Sequence, residues 1–411
     1  MSLASYAESF ERFAAQLPRE QQAARRAQFD RFAAAGFPTP RIEEWHYTDL
    51  GPLTGQSFGL AEPAAADLED LLPDADHLVY VNGRLDAAHS SAAQRHQDLP
   101  AVAETGDSVT ALNGAFTSGG LDLRLERGER LARPLQVLVV GVGGSAPAMT
   151  HQRHRIELGQ NAEATVIFQF QGRSGGRLGT QVIEIGLAAG ARLTLYRLQD
   201  EHADATLLTR IDARLGRDSS LQSVSVDSGS GLVRHDFNVD LAEPGAEAIL
   251  SGLYQPAPGG HIDNHTRVVH SAPNGRSREY FRGVIDARAK AVFNGKVVVQ
   301  PGAQKTDSEQ HVANLLLSKK AEVNAKPELE IYADDVKCAH GATVGQLDDT
   351  ALEYLRSRGI DAAAARALLL RAFATAVLER IGIPQLRRQA ELRLGLGGAE
   401  AEIELEAESE A

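Results

Sequence analysis

The chain has one cysteine, Cys338, and it stands two residues before His340 in I-Y-A-D-D-V-K-C-A-H-G-A-T-V-G, Ile331 to Gly345. Strand residues alternate sides with a period of two, so a C-x-H pair in an extended segment presents thiol and imidazole on one face. A soft thiolate beside an imidazole suits zinc, iron or an iron–sulfur cluster. Asp334 and Asp335 precede the pair, and Gly341 and Gly345 follow it. A plainer reading stands beside this one: a lone Cys packs as a small apolar residue, and a nearby His is satisfied structurally.

Other candidate chemistry is sparse. His261 and His265 flank Asp263 at alternate positions, so the three can share one face of a strand, as a metal site or as solvated histidines. Gln304 to Gln310, Q-K-T-D-S-E-Q, is a polar run that reads as a surface corner or as the edge of a site. Trp45 and Tyr47, in R-I-E-E-W-H-Y-T-D-L (Arg41 to Leu50), read as a binding platform or as an aromatic plug pinning the N-terminal helices to the next domain. The chain has no G-x-x-x-x-G-K-[ST] phosphate loop, no H-E-x-x-H, no G-x-S-x-G and no C-x-x-C. A self-contained NTPase, zinc protease or serine hydrolase is therefore not expected.

Composition narrows the class further. The 411 residues are 43% apolar and 24% charged, with a net charge of −13. Such a surface repels nucleic acid, and no Lys/Arg run offsets it. A single cysteine forms no internal disulfide, so the fold needs no oxidising compartment. No apolar stretch approaches the length of a membrane span, and M-S-L-A-S-Y-A-E-S-F-E-R-F carries acids unlike a targeting peptide. The expected address is the cytoplasm, with no membrane and no nucleic-acid partner.

The elements that must position Cys338 and His340 repeat. Phe10, Phe13, Leu17, Phe29 and Phe32 predict helices over residues 3–35. From about residue 120, short alternating apolar runs begin at Ile156, Ile183, Ile211, Val239 and Arg267, each closed by Gly, Ala, Asp or Asn and often followed by a second strand. A fixed period made only of strand and turn predicts a β-solenoid, with a sandwich as the alternative. Asp361 caps a strong helix over 362–381 that Gly382 and Pro384 stop, and its broad apolar face caps the solenoid or docks a partner. The expected organisation is 1–100, helical region and connector; 101–345, solenoid; 346–390, helical; 391–411, an acidic tail expected to be disordered.

The late segments together resemble the SufB/SufD family of iron–sulfur cluster assembly proteins. They are Q-K-T-D-S-E-Q-x-x-x-N-L-L-L-S (Gln304 to Ser318), P-E-L-E-I-Y-A-D-D-V-K-C-A-H-G-A-T-V-G (Pro327 to Gly345) and Y-L-R-S-R-G-I (Tyr354 to Ile360), and Arg41 to Leu50 looks like the family's N-terminal element. With one cysteine only, the chain looks like the SufD branch. The resemblance implies a right-handed parallel β-helix, mainly β, flanked by N- and C-terminal helical regions. It implies a non-catalytic scaffold within a SufBCD-type complex. A SufB-like protein would sit at the late β-helix edge and a SufC-like ATPase on the C-terminal helical domain, with a homodimer possible in isolation. His340 would be a cluster or iron ligand at the interface, and Cys338 its neighbour, to a transient iron–sulfur cluster shared with the partner chain. The rivals are a β-helix carbohydrate-active enzyme, which needs carboxylates clustered on one face, and a self-contained metal-binding homodimer.

Overall fold

The computed structural model describes residues 3–66, 68–99, 107–144, 146–173, 175–229 and 231–396. Most of them form a parallel β-solenoid of about eight turns. Each turn gives one strand to each of two facing sheets. The first sheet runs Gly120–Leu125, Ala148–Leu158, Arg177–Leu187, Ala205–Leu215, Leu232–Leu241, His261–His270, Lys290–Val299 and Glu322–Ile331. The second runs Asp76–Val81, Leu135–Gly141, Glu163–Gly172, Arg192–Glu201, Ser220–Gly229, Glu247–Pro256, Arg276–Ile285, Asp307–Leu316 and Lys337–Gly345. Asp76–Val81 already belongs to the stack, upstream of the expected start at 101, and the 100/101 boundary itself lies outside the described residues.

Apolar side chains of alternate residues fill the space between the sheets. Ile156, Ile185, Ala213, Val239, Val268 and Val297 form one such column, each beside the next. Ile183 lies beside Ile211 as the period predicts, but Ile156 lies beside Ile185, not Ile183. A slip of two residues keeps every side chain on its own face, so the apolar pattern does not register it.

One corner of the solenoid explains the recurrent Gly, Asn and Asp. Asn161, Gly190, Asp218, Gly245, Asn274 and Lys305 all have positive φ. The backbone N–H of each reaches the carbonyl of the residue just before its counterpart one turn on, as from Asn161 to Ala189 and from Gly190 to Arg217. Left-handed backbone is cheapest for Gly and tolerated by Asn and Asp, so the corner selects these residues in every one of these turns but the last, where Lys305 stands.

The helices cover the outer faces. Helices α1 (Ala4–Ala14), α2 (Arg19–Ala35), the short α3 (Gly51–Thr54) and α4 (Ser108–Phe116) contribute to an aromatic cluster with Met149, Leu178 and Leu208 of the first sheet. Phe10 stacks on Phe29 at 4.5 Å, and both meet Phe116 edge-on. On the other side α5 (Asp349–Ser357), α6 (Ala362–Leu378) and α7 (Pro384–Arg393) come after the last strand. Asp348 and Asp361 cap α5 and α6, their carboxylates accepting from backbone N–H groups of the first turn. Ala374, Val377, Leu378, Ile381, Leu386 and Ala390 pack on Tyr196, Leu198, Val224, Val226 and Leu253 of the second sheet. These helices therefore lie along the side of the solenoid rather than over its end. Helix α7 runs past the expected boundary at 390, and the acidic stretch 397–411, expected to be disordered, lies outside the described residues.

Candidate functional site: the open end of the solenoid

Lys337–Gly345 ends the second sheet. Among the described residues it pairs with one strand only, Asp307–Leu316, so its other edge faces no strand. Glu322–Ile331 ends the first sheet in the same way and carries Pro327, a residue a terminal strand tolerates because half its N–H groups have no ladder to join. Ile331, Tyr332 and Val344 are 41%, 60% and 52% exposed at this end. The last corner holds the strand in place: Lys305 N donates to Asp335 O at 2.5 Å, and Asp335 N to Gln304 Oε1 at 2.9 Å. Asp334 and Asp335 are themselves exposed.

Cys338 and His340 share the inward face of this last strand. Cys338 is half-buried, reduced, packed against the apolar core and in register with Ser308. Burial pushes its thiol up and Asp307 adds to the rise, against a hydrogen bond with the Ser308 backbone. His340, in register with Gln310, is exposed because no further turn covers it. One thiol and one imidazole at an open end are an incomplete donor set. Among the described residues no group of three or more His, Cys, Asp or Glu could hold a metal ion. An arrangement of this kind binds a soft metal or cluster only when another chain supplies the remaining ligands.

The histidine trio has a different role. Asp263 is fully buried on the outer face of the first sheet, where it takes Thr48 Oγ1, Arg234 Nη1 at 2.8 Å and His265 Nε2 at 2.9 Å. Thr48 Oγ1 also meets His261 Nε2 at 2.9 Å. Arg234 lies 3.8 Å over the Trp45 ring, donates to the Glu44 carbonyl at 2.7 Å and chelates Asp236. Burial would raise the Asp263 carboxyl, but His265 and Arg234 hold it far below the usual carboxylate range. The trio is thus neither a metal site nor a solvated row. It is a lock that fastens the segment of Trp45 to the solenoid, and Trp45 is the plug.

A lane of polar side chains inside the solenoid leads to Cys338 and His340. Ser277 and Ser308 precede Cys338 in one register column; Ser277 Oγ donates to Ser308 Oγ at 2.8 Å and shares a 2.9 Å hydrogen bond with His270 Nε2. Glu279 and Gln310 precede His340 in the next. Glu279 is wholly enclosed, takes Thr266 Oγ1, and accepts from Gln310 Nε2 at 3.0 Å. The run Gln304 to Gln310 is therefore not a surface corner throughout: Thr306, Ser308 and Gln310 are buried, and Asp307 opens a strand. Inside and outside residues alternate there as everywhere, but polar residues stand on both faces, so the alternation carried no signal.

Comparison with known proteins fits this architecture. Residues 140–373, most of the solenoid and half of the C-terminal helices, match the family described as SUF system FeS cluster assembly, SufBD core domain. The iron-sulfur cluster assembly protein SufD of Escherichia coli is 33% identical over 88% of this chain and 89% of its own length. An iron-sulfur cluster assembly SufBD family protein of Synechocystis is 29% identical over 87% of each chain. SufD of Bacillus subtilis is 24% identical over 85% of this chain and 86% of its own. With its single cysteine placed on the terminal strand of a parallel solenoid, this chain belongs to the SufB/SufD family of iron–sulfur cluster assembly proteins, as a homologue of SufD.

Proposed function

We propose that this chain is a non-catalytic scaffold subunit for de novo iron–sulfur cluster assembly, and that His340, with Cys338 beside it, is its half of a site completed by a SufB-like chain. One observation carries the reading: both residues face inward on a terminal strand whose outer edge is unpaired among the described residues. An unpaired strand edge is a template for a second chain's strand, and continuing the sheet would bring the partner's donors to the same end. The nascent cluster is cargo here, and open mixed ligation suits a cluster that must be passed on. The energy source is a separate SufC-like ATPase docked on α5–α7, since the chain carries no phosphate loop. The address is the cytoplasm; among the described residues no helix is long and apolar enough to cross a membrane.

Co-expression with a SufB-like chain and a SufC-like ATPase is expected to yield a complex that builds clusters under anaerobic supply of iron and sulfide. His340→Ala should leave the complex assembled and its melting temperature unchanged while cluster formation falls at least tenfold. Parental cluster yield from the His340→Ala complex would remove His340 from the ligand set.

A further inference from the structure

Gln310 is held from two sides. Its Nε2 donates to Glu279 Oε1 at 3.0 Å, and Glu279 is anchored in turn by Thr266 of the facing sheet. Across the interior stands Gly295, where a Cβ would run into Gln310 Nε2 and lie 2.7 Å from the Phe293 ring. Any side chain at 295 would displace the amide, so the missing side chain makes its berth. The other end of the amide is unsatisfied: Gln310 Oε1 is buried and has no hydrogen-bond partner among the described residues. A buried carbonyl oxygen without a donor is unfavourable, so it draws any N–H that can reach it. The neighbour one turn further out in the same column is His340, on the same inward face. In-register residues of adjacent parallel strands lie about 4.8 Å apart, so a rotation of the exposed His340 ring, which does not meet Gln310 Oε1 in this conformation, would bring a ring N–H to it. Ligating histidines characteristically give their second ring N–H to an oxygen acceptor, which fixes tautomer and ring plane.

We propose that Gln310 is the positioning residue for His340: its amide oxygen accepts one ring N–H of His340 and leaves the opposite ring nitrogen free to bind iron. The inference rests on His340 being a ligand, and it adds the tautomer, the acceptor and the chain Thr266–Glu279–Gln310 that aims the acceptor.

The test is made on the full chain labelled with 15N-histidine, by two-bond 1H–15N correlation of the imidazole rings at neutral pH. The His340 signals are those that vanish in His340→Ala. A single neutral tautomer is expected in the parent. Gln310→Met, which keeps length and loses the acceptor, should convert it to the mixture of tautomers seen for free imidazole, and Gln310→Glu should restore one tautomer. In the complex with the SufB-like chain and the ATPase, Gln310→Met should lower cluster formation by about 10–100-fold. A parent ring already in the free mixture overturns the inference without recourse to any variant, so a misfolded Gln310→Met does not shelter it. A His340 tautomer indifferent to Gln310→Met also overturns it. Parental cluster yield from His340→Ala beside a Gln310-dependent tautomer would instead remove the ligand reading and leave the hydrogen bond standing.

Discussion

Glu279 is a carboxyl enclosed on all sides, and its ionisation is coupled to folding. Burial pushes it from the ordinary value of 4.5 up to about 7, with the hydrogen bonds from Thr266 and Gln310 pulling back. The folded chain therefore holds a proton here that the unfolded chain has already released between about pH 4.5 and 7. A raised carboxyl favours the folded state fully below the unfolded value, and that advantage is lost as pH climbs through the folded one. Glu279→Gln removes the ionisation and keeps an oxygen to accept from Thr266. Relative to the parent it is expected to gain on the order of 3 kcal/mol at pH 8 and almost nothing at pH 4.5, as read by urea unfolding at the two pH values. A gain independent of pH would mean that Glu279 ionises in the folded chain at the same pH as in the unfolded one, so that burial does not raise it. The neighbouring His270 is driven the other way, down to about 4 by burial with Asp307 opposing, so it stands neutral beside Ser277. The interior lane is thus a set of hydrogen-bonded groups with few charges near neutral pH, which is what a low-dielectric space permits.

At the scale of elements, the strands were legible where apolar side chains alternate. Ile183 and Ile211 announce the stack, and the turn residues Asn161, Gly190, Asp218 and Gly245 announce its corner. The Cys338–His340 face was legible because two rare residue types fell at a spacing of two. Ser277, Glu279 and Gln310 were not, because a polar residue in a strand reads as outward, and only the facing sheet shows that Thr266, Phe293 and Gly295 enclose them. The lock at Asp263 was half legible: the trio shares a face as its spacing requires, but Arg234 and Thr48, which decide its role, come from distant parts of the chain. Arg234 carries most of that lock, joining Trp45, the Glu44 carbonyl, Asp236 and Asp263. Removing one member of a buried pair leaves the other charge uncompensated, at about 3–5 kcal/mol. Arg234→Met should cost that much and should raise amide hydrogen exchange at residues 42–48 ahead of global unfolding. Adding Asp263→Asn should return part of the stability. Unchanged exchange at Trp45 in Arg234→Met would show that the aromatic cluster of α1, α2 and α4 fastens the segment unaided.

For the molecule as a whole, the two ends of the solenoid are unlike. Near its start the first sheet is flanked by an antiparallel strand, His96–Gln97, and α1, α2 and α4 sheath that sheet's outer face. At its finish the helices α6 and α7 turn aside onto the second sheet, and Val323, Ala325, Leu329 and Cys338 remain only partly buried against the core. A stack of turns is stabilised by neighbour on neighbour, so a terminal turn with an uncovered core is the least stable part of the array. A partner that adds its own strands to this end should therefore stabilise the whole chain by mass action, by about 2.7 kcal/mol when present at a hundred times its dissociation constant. Edges that do not pair characteristically carry inward-pointing charges that forbid pairing; Lys337, exposed at the start of this strand, is on its outward face, whereas Val344, on the face of Cys338 and His340, is exposed and apolar. Val344→Lys installs that charge on the outermost strand without touching Cys338 or His340. The isolated variant should unfold at the parental temperature, since an exposed side chain holds no core. Its complex with a SufB-like chain should weaken by at least tenfold in titration calorimetry, and the partner-induced rise in unfolding temperature should shrink accordingly. If Val344→Lys binds the partner as tightly as the parent, the partner does not pair along Lys337–Gly345, and the shared site would have to form by contact between loops such as Tyr332–Val336 instead of by a continued sheet.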